Sequence, residues 1–520
     1  MATATGGPPR AIGARHRIAW LLRVNRTLGP HAEYASLPAF ARAFRGGSYP
    51  RDVSPSTVSR WETAQAPVPR AAVRRYEELL ALPPDLLVAT VETTARYLAP
   101  SALERPPLPG GPQETRATED LLDHALSDDV MSGAEWGRLT DGLCASGAVT
   151  LMPSGVWSLL TRRLVEEMVI ADGIPWMLRF EALNRLLNHP RGSRHAIAVC
   201  AALAADPANH AATEVICALD NTAHPDAAAR VLAALRRPAG PRSQQGAHMA
   251  CLRKIRYRHF SPGQLHVLAR ELTHLPDDGD AIGQVAPLAG GLLALHPQFE
   301  PTLGALRVPP EHDGDRRIGV SARRVAASAE AAAVREPLDG AALTALVTEM
   351  LQHPEFDARL YTALLLAATP YRAGLADALV SELARPVTVR DTGLAVPLLG
   401  ALRVLGGAPR RGPVERLALA GQAPWAAVAA AVHGLGHIAA AQADVGFWVR
   451  ALRHHAARRQ TEGDAAAEAG LRGLVYAMGM ADRYDLLAAL GARPGTPYSV
   501  RSAAAWWLDI SPHVRLSARR

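Results

Sequence analysis

One pattern governs most of the chain: apolar segments of helix length alternate with short breaks over roughly the last 400 of the 520 residues. Alanine and leucine dominate these segments, and both residues favour helices because they lose little conformational freedom there. Prolines, which cannot continue a helix, recur in the breaks at His189-Pro190, Asp206-Pro207, His224-Pro225, His296-Pro297, His353-Pro354 and Thr369-Pro370. Strand signals are scarce. Paired helices repeated over this length predict an all-α chain with a long α-solenoid of helical hairpins.

Proline and glycine also mark the clearest domain boundary. Five prolines and two glycines lie between Ala99 and Pro112, and a segment of this kind favours a linker over a helix. A polar stretch near 308–317 is a candidate division of the helical array into two lobes. The predicted segments, in chain order, are a disordered N-terminus at 1–14, a small helical domain at 15–98, the linker at 99–115, the helical array at 116–510 and a basic tail at 511–520.

Composition argues against membrane and secreted proteins. No apolar run is long enough to cross a bilayer, and Met1–Pro9 lacks the apolar core of a secretory signal, so a cytoplasmic protein is expected. The four cysteines form no CxxC pair and are expected to be buried free thiols rather than metal ligands or disulfides. They are Cys144, Cys200, Cys217 and Cys251.

No group of residues in the sequence points to catalysis. GxSxG, HExxH, catalytic-cysteine and phosphate-binding glycine signatures are all missing, so the chain is expected to be neither an enzyme nor the carrier of a cofactor. His433 and His437 are four residues apart, but the glycines around them weaken a helix, and no metal site is predicted. The basic cluster Cys251–His259 is interpreted as a solvated helix face, with binding of a phosphate group as the alternative. Tryptophans of the array are expected in its core.

Positive charge is concentrated at one end of the chain. Met1–Arg105 contains 14 arginines and 8 acidic residues, a net charge of +6, out of +7 for the whole protein. A polyanion is therefore attracted to the N-terminal fifth of the chain far more than to the remainder.

The N-terminal segment contains several short helical patterns. The first starts at Ile18 and ends near Arg26, and the second is predicted at Leu37–Phe44 with Ser36 as its N-cap. A third begins after Ser54, with Pro55 at its first position. A fourth is predicted at about Pro69–Leu82 and a fifth at Asp85–Tyr97.

The third helix carries the most informative residues. Val58 and Trp61 are three residues apart and share one face, which can pack inward. Ser56, Ser59 and Arg60 then face outward. Small hydroxyl residues at a helix N-terminus allow close approach to a groove of DNA, and an arginine further along can donate two hydrogen bonds to a guanine edge.

This segment resembles the Cro/repressor-type (Xre) helix-turn-helix family, whose recognition helix follows the approximate pattern V-S-x-x-x-I/V-S-x-W/L-E-x-G-x-x-x-P. The matching residues are Val53, Ser54, Val58, Ser59, Trp61, Glu62 and Pro67 or Pro69. The resemblance implies that Pro55, Ser56 and Arg60 face bases and that Thr57 lies near a phosphate. Ser59, on the same outward side, is also expected to face bases. It also implies that Arg26 and Glu62 form a buried ion pair. The remaining array is similar in general to HEAT-like or TPR-like repeats.

Two connections are longer than the family's. The turn before the third helix, normally three residues, is here Arg45–Val53, and the loop after the first helix is Thr27–Ser36. Both can be insertions that contact DNA, because Arg45 and Arg51 are placed to meet phosphates.

The sequence therefore predicts a transcriptional regulator that binds double-stranded DNA and associates with the nucleoid when bound. The array is expected to carry homodimerisation and to receive a peptide, small-molecule or protein effector, and no membrane partner is expected. The alternative is a non-enzymatic helical-repeat scaffold whose N-terminal domain binds another protein. The concentration of positive charge favours DNA.

Overall fold

Every regular element that the computed structural model describes is helical. The described residues are 12–99, 112–146, 152–274, 279–303, 313–333, 340–438, 445–462 and 464–520. Within them, the one β pairing is an isolated antiparallel bridge between Gly46 and Tyr49. The predicted all-α class is confirmed for this part of the chain.

Five α-helices form a compact N-terminal module (residues 12–99). They are α1 (Ala14–Leu28), α2 (Leu37–Phe44), α3 (Pro55–Glu62), α4 (Arg70–Leu79) and α5 (Leu86–Leu98). α1 begins at Ala14 rather than at Ile18. α4 ends at Leu79 rather than at Leu82, because Ala81 has a φ of 50° and leaves the helical conformation. α2 has the predicted bounds, although the Ser36 side chain makes no capping hydrogen bond, and α3 begins at Pro55 as the sequence predicts.

The remaining helices follow in a nearly continuous series. They are α6 (Pro112–Leu126), α7 (Gly133–Ser146), α8 (Ser154–Val169), α9 (Gly173–Leu187), α10 (Ser193–Ala205), α11 (Ala212–Ala218), α12 (Pro225–Arg236), α13 (Pro241–Arg256), α14 (Pro262–Thr273), α15 (Gly279–Leu295), α16 (Glu300–Leu303), α17 (Asp313–Ala331), α18 (Gly340–Gln352), α19 (Phe356–Ala367), α20 (Arg372–Leu383), α21 (Pro386–Arg390), α22 (Thr392–Leu405), α23 (Arg411–Ala418), α24 (Trp425–Gly434), α25 (Val445–Glu462), α26 (Asp464–Met480), α27 (Tyr484–Ala492), α28 (Tyr498–Asp509) and α29 (Pro512–Ala518). Short 3₁₀ turns lie at Ala32–Ala35, Leu219–Asn221, Pro297–Phe299 and Ala408–Arg410.

The chain divides into two compact units, and each contains two separate stretches of sequence. The first unit comprises Met1–Arg105 and Asp313–Ala457, and the second comprises Pro106–His312 and Arg458–Arg520. In the second unit α7 packs on α9, α8 on α10, α11 on α13 and α13 on α15. Helices therefore contact the next helix but one along much of that unit.

The N-terminal module belongs to the first unit and packs against α18, α19 and the connection between α19 and α20. Arg17 in α1 donates from Nη2 to Glu349 Oε2 at 2.5 Å and from Nη1 to Thr362 Oγ1 at 3.1 Å. Asn25 donates to the carbonyl oxygen of Ala368 at 2.9 Å. These polar side chains of α1 are buried, so their hydrogen-bonding capacity is met by a part of the chain more than 300 residues away.

Aromatic contacts accompany these hydrogen bonds. The ring of Trp20 stacks on Tyr371 with 6.4 Å between centroids, and Tyr97 in α5 lies 4.7 Å from Tyr361. The Tyr97 hydroxyl donates to Glu355 Oε2 at 3.0 Å. Both the first and the last helix of the module thus contribute to this packing.

The basic cluster on α13 is not a solvated face, contrary to the expectation from sequence. Arg253 and Lys254 are buried; Arg253 pairs with Asp220 at 2.7 Å, and the Lys254 ammonium donates to the carbonyl oxygen of Thr222 at 2.9 Å. Burial lowers the pKa of Lys254 to about 8. The acidic partner lies in another helix-loop segment, which periodicity along α13 does not reveal.

Two further expectations need correction. Cys200, Cys217 and Cys251 are buried free thiols, but Cys144 is exposed because it lies near the end of α7. Segment 511–520, treated as a basic tail from its sequence, contains α29, which packs against α8.

Some predicted segments lie partly outside the described residues. They are 1–11 of the N-terminus, 100–111 of the linker and 308–312 of the polar stretch; α6 begins at Pro112 and α17 at Asp313. The prediction that tryptophans of the array lie in its core is confirmed for Trp136, Trp157, Trp448 and Trp507. Trp176, Trp425 and Trp506 are half-buried.

Candidate nucleic-acid interface

The N-terminus of α3 is built by hydroxyl side chains. Ser54 is the N-cap, and its Oγ accepts a hydrogen bond from the Thr57 N–H at 3.2 Å. The hydroxyl groups of Ser56 and Thr57 each lie 2.9 Å from Ser54 Oγ. Pro55 occupies the first helical position, where its lack of an N–H costs no hydrogen bond. The result is a polar helix N-terminus without an acidic residue in its first turn.

One face of α3 is fixed in the core of the module. Val58, Trp61 and Glu62 are buried, and α3 packs against α1 and α2. Trp61 joins an aromatic cluster in which its ring centroid lies 5.7 Å from Phe44 and 6.2 Å from Tyr49. This packing sets the rotation of α3 about its axis, and so decides which of its side chains reach the surface.

A buried polar network ties α3 to α1 and α4. Arg26 donates from Nε and Nη2 to the two carboxylate oxygens of Glu62, both at 2.7 Å, and the two side chains are 4% and 3% exposed. Arg26 also donates to the carbonyl oxygens of Tyr34 and Ala35, and the Tyr76 hydroxyl donates to Glu62 Oε1 at 2.9 Å. Burial, and then the charge of Glu62, raise the pKa of Tyr76 well above its usual range.

The opposite face of α3 is open to solvent. Pro55, Ser56 and Arg60 are exposed, while Thr57 and Ser59 are half-buried. The Arg60 side chain makes no hydrogen bond or ion pair to any residue that the structure describes. Three of the residues predicted to face bases are therefore exposed on a packed helix: Pro55 and Ser56 in its first turn and Arg60 in its last turn.

The connection between α2 and α3 is held on α4. Arg75 donates to the carbonyl oxygens of Ala43 and Phe44 at 2.9 Å, and Ser48 donates from both its N–H and its hydroxyl to Glu78. Gly47 has a φ of 53°, and a Cβ there would lie 2.0 Å from the Glu78 carboxylate. Residue 47 therefore needs to be glycine, and the long turn is a specific structure rather than a loose insertion.

The two arginines of this connection differ in their surroundings. Arg45 and Arg51 are both exposed. Arg45 lies 3.6 Å from Asp52, with the two side chains 71% and 79% exposed, so its charge is partly offset by a weak surface ion pair. Arg51 has no ion pair with any residue in the described ranges. Of the two, Arg51 is the stronger candidate for a phosphate contact.

Sequence reasoning missed the residues that support this surface from α4. Tyr76, Arg75 and Glu78 hold the ion pair and the long turn in place. In the sequence, Arg75 and Glu78 are an oppositely charged pair three residues apart, a pattern that indicates a solvated helix face. The signal that could have found it is the length of the Arg45–Val53 connection, whose backbone groups need partners outside the turn.

No family model matches the chain, and no curated protein matches it. Among the described residues, no group of three or more histidine, cysteine, aspartate or glutamate side chains is arranged to hold a metal ion. None of the helices in the described ranges combines the length and hydropathy needed to span a membrane. The imidazole rings of His433 and His437, the pair considered for a metal from the sequence, stack with 5.9 Å between their centroids.

Proposed function

We propose that this protein is a non-enzymatic transcriptional regulator that binds double-stranded DNA, with α3 as its recognition helix in a helix-turn-helix of the Cro/repressor type. The observation that carries the proposal is the division of α3 into a fixed and an exposed face. Trp61 and Glu62 anchor the helix, and Ser56 and Arg60 stand at the surface. Recognition helices present N-terminal residues such as Ser56 to base edges, and we propose that Arg60, in the last turn of α3, contacts a guanine edge.

Charge supports the same proposal over a protein-binding scaffold. Arg51 and Arg60 are exposed and lack ion pairs within the described ranges, and Met1–Arg105 carries a net charge of +6 out of +7 for the whole protein. Neutralisation of phosphates uses exposed arginines of this kind, and a net positive charge concentrated in one segment attracts a polyanion.

The remaining helices are proposed to form an α-solenoid that serves as dimerisation platform and effector-binding arm. The packing of α7 on α9, α8 on α10 and α11 on α13 supports this, because stacked hairpins bring alternate helices together. One helix-turn-helix buries too little surface for specific binding, so a homodimer that contacts two half-sites is proposed. We place this activity in the cytoplasm, at the nucleoid.

The direct test is selection of bound duplexes from a random DNA library by the full chain at about 0.15 M salt, near physiological ionic strength. Enrichment of a motif with two half-sites, spaced by about 10 base pairs or a multiple, is expected for a dimer. Recovery of no motif, together with binding that does not depend on salt, contradicts the proposal and favours the protein-binding scaffold.

Substitution of Arg60 should alter specificity. Arg60→Ala is expected to weaken binding to the selected site by about 1–3 kcal/mol and binding to random duplex by much less, because it removes a contact to a base edge. Fluorescence anisotropy with both duplexes measures the difference. Arg23→Ala, which removes an exposed arginine of α1, is the matched control for loss of charge. An equal loss on the two duplexes would make Arg60 a phosphate contact.

Substitution of Arg51 should act on all DNA alike. Arg51→Ala is expected to weaken binding to the selected site and to random duplex by the same factor, since phosphates carry no sequence information. The slope of log affinity against log salt should become shallower by about 1, because one fewer counterion is released. Titrations at several salt concentrations measure the slope. An unchanged slope removes Arg51 from the interface.

A further inference from the structure

The second unit contains a cavity of about 210 Å³ that is formed by separate parts of the sequence. Residues in the first turns of α11 and α13, and just before these helices, form one side, and residues of α26 and α28 form the other. Its lining includes His210, Arg242, Arg472, Tyr498 and Ser499. The Tyr498 ring is 79% exposed, an unusual position for a large aromatic side chain beside a cavity.

Two arginines line this cavity close enough for their charges to repel. Arg242 is held in place by a hydrogen bond from Nη1 to the carbonyl oxygen of His210. Burial, and then the charge of Arg472, lower the pKa of Arg242 to about 10. The Nε of Arg472 is buried and makes no hydrogen bond to any residue that the structure describes. Two neighbouring guanidinium groups therefore stand at the cavity with unused donors.

Three acidic residues lie near the cavity, and none of them forms an ion pair or a hydrogen bond with Arg242 or Arg472 in the part of the chain that the structure describes. The negative charge of Glu214 raises the pKa of Arg242, which opposes the effects of burial and of Arg472. Asp206 lies in the lining, but it is exposed, and its Oδ1 accepts a hydrogen bond from the Ala208 N–H at 2.9 Å. Glu468 accepts a hydrogen bond from the Ser499 hydroxyl.

Two helix N-termini border the same cavity. α13 begins at Pro241 and α28 at Tyr498, and both residues belong to the lining. Neither helix has a side-chain cap or an acidic residue in its first turn. The first N–H groups of a helix have no partner within it and carry a partial positive charge, so each N-terminus favours an anion.

We propose that this cavity binds a small phosphate monoester through Arg242, Arg472 and the N-termini of α13 and α28. Guanidinium groups bind phosphate oxygens in a bidentate manner, and a dianion balances the two positive charges. Tyr498 offers a ring face beside the site for the organic part of the ligand. The site supplies a ligand class for the effector of the proposed regulator. Binding itself is independent of DNA, so the two proposals can fail separately.

The test is calorimetric titration of the full chain with inorganic phosphate at constant ionic strength, with malonate, a dicarboxylate dianion without a tetrahedral oxyanion, for comparison. Saturable binding of phosphate in preference to malonate is expected. Arg472→Gln should weaken phosphate binding about tenfold or more, because it removes a charged donor. Arg230→Gln, at an exposed position of α12 in the same unit, is the matched control and should change it less than about twofold.

The melting temperature separates a binding role from a structural one. Without phosphate, Arg472→Gln should melt at the same temperature as the unaltered chain or higher, because one of two repelling charges is gone. With phosphate, the unaltered chain should gain stability and Arg472→Gln should not. Absence of saturable phosphate binding, equal binding to Arg472→Gln, equal binding of malonate, or a large loss of stability in Arg472→Gln without phosphate would each overturn the proposal.

Discussion

Glu62→Ala is expected to lower the free energy of opening of the N-terminal module by about 3–5 kcal/mol, because it leaves Arg26 buried and without its counter-charge. The carbonyl oxygens of Tyr34 and Ala35 remain as acceptors for Arg26, but they are neutral. The Tyr76 hydroxyl loses its acceptor at the same time. The expected loss of stability in Glu62→Ala therefore exceeds the loss that one broken ion pair would cause.

Hydrogen–deuterium exchange of the full chain is the appropriate measurement, because a protein of two units has no single free energy of unfolding. Amides of α1, α3 and α4 should exchange faster in Glu62→Ala, while those of the second unit keep their rates. Glu33→Ala is the matched control, since the Glu33 side chain is 61% exposed.

Removal of the whole network should be less harmful than removal of one member. A variant that combines Arg26→Leu, Glu62→Leu and Tyr76→Phe leaves no charge or hydroxyl unsatisfied, and apolar replacement of buried ion pairs is often neutral or stabilising. If Glu62→Ala exchanges at the same rates as the unaltered chain, the ion pair of Arg26 and Glu62 does not support α3.

Glu349→Ala is expected to loosen the N-terminal module from α18–α20, with a loss of about 3 kcal/mol, the lower end of the range for a broken buried pair. The Arg17 side chain is 5% exposed and that of Glu349 is 17% exposed, so solvent compensates little for the lost charge. Thr362 loses its hydrogen bond to Glu349 Oε1 as well.

The location of the effect distinguishes loosening from general unfolding. In Glu349→Ala, amides of α1 and α5 should exchange faster, while those of α23 and α24, elsewhere in the first unit, should not. Arg390→Ala, at an exposed position of the same unit, is the control. Unchanged exchange in α1 would show that this contact does not hold the module.

This packing bears on how the proposed regulator can work. A module that shares buried side chains with α18–α20 does not behave as a head on a flexible tether. A shift of these helices changes the environment of α1, which is joined to α3 through Arg26 and Glu62. A change in the first unit thus has a physical route to the recognition surface.

The sequence by itself determined the local structure of the proposed recognition helix. Ser54 and Pro55 define where α3 begins, because an N-cap hydroxyl and a proline at the first position act within one turn. The spacing of Val58 and Trp61 then decides which face is buried and leaves Ser56 and Arg60 outside. These properties depend on near neighbours in the chain, so one sequence is enough to predict them.

Only the tertiary structure decided what covers the polar side chains. Arg17 and Asn25 on α1, and Arg253 and Lys254 on α13, look from sequence like residues on solvated helix faces, yet all four are buried. Their partners lie on other elements, and for α1 more than 300 residues away. Periodicity indicates that a helix face is polar. It does not indicate whether the polar groups of that face form hydrogen bonds with water or with a distant carboxylate or carbonyl group. The cavity beside Arg472 is hidden for the same reason, since it forms only where separate segments meet.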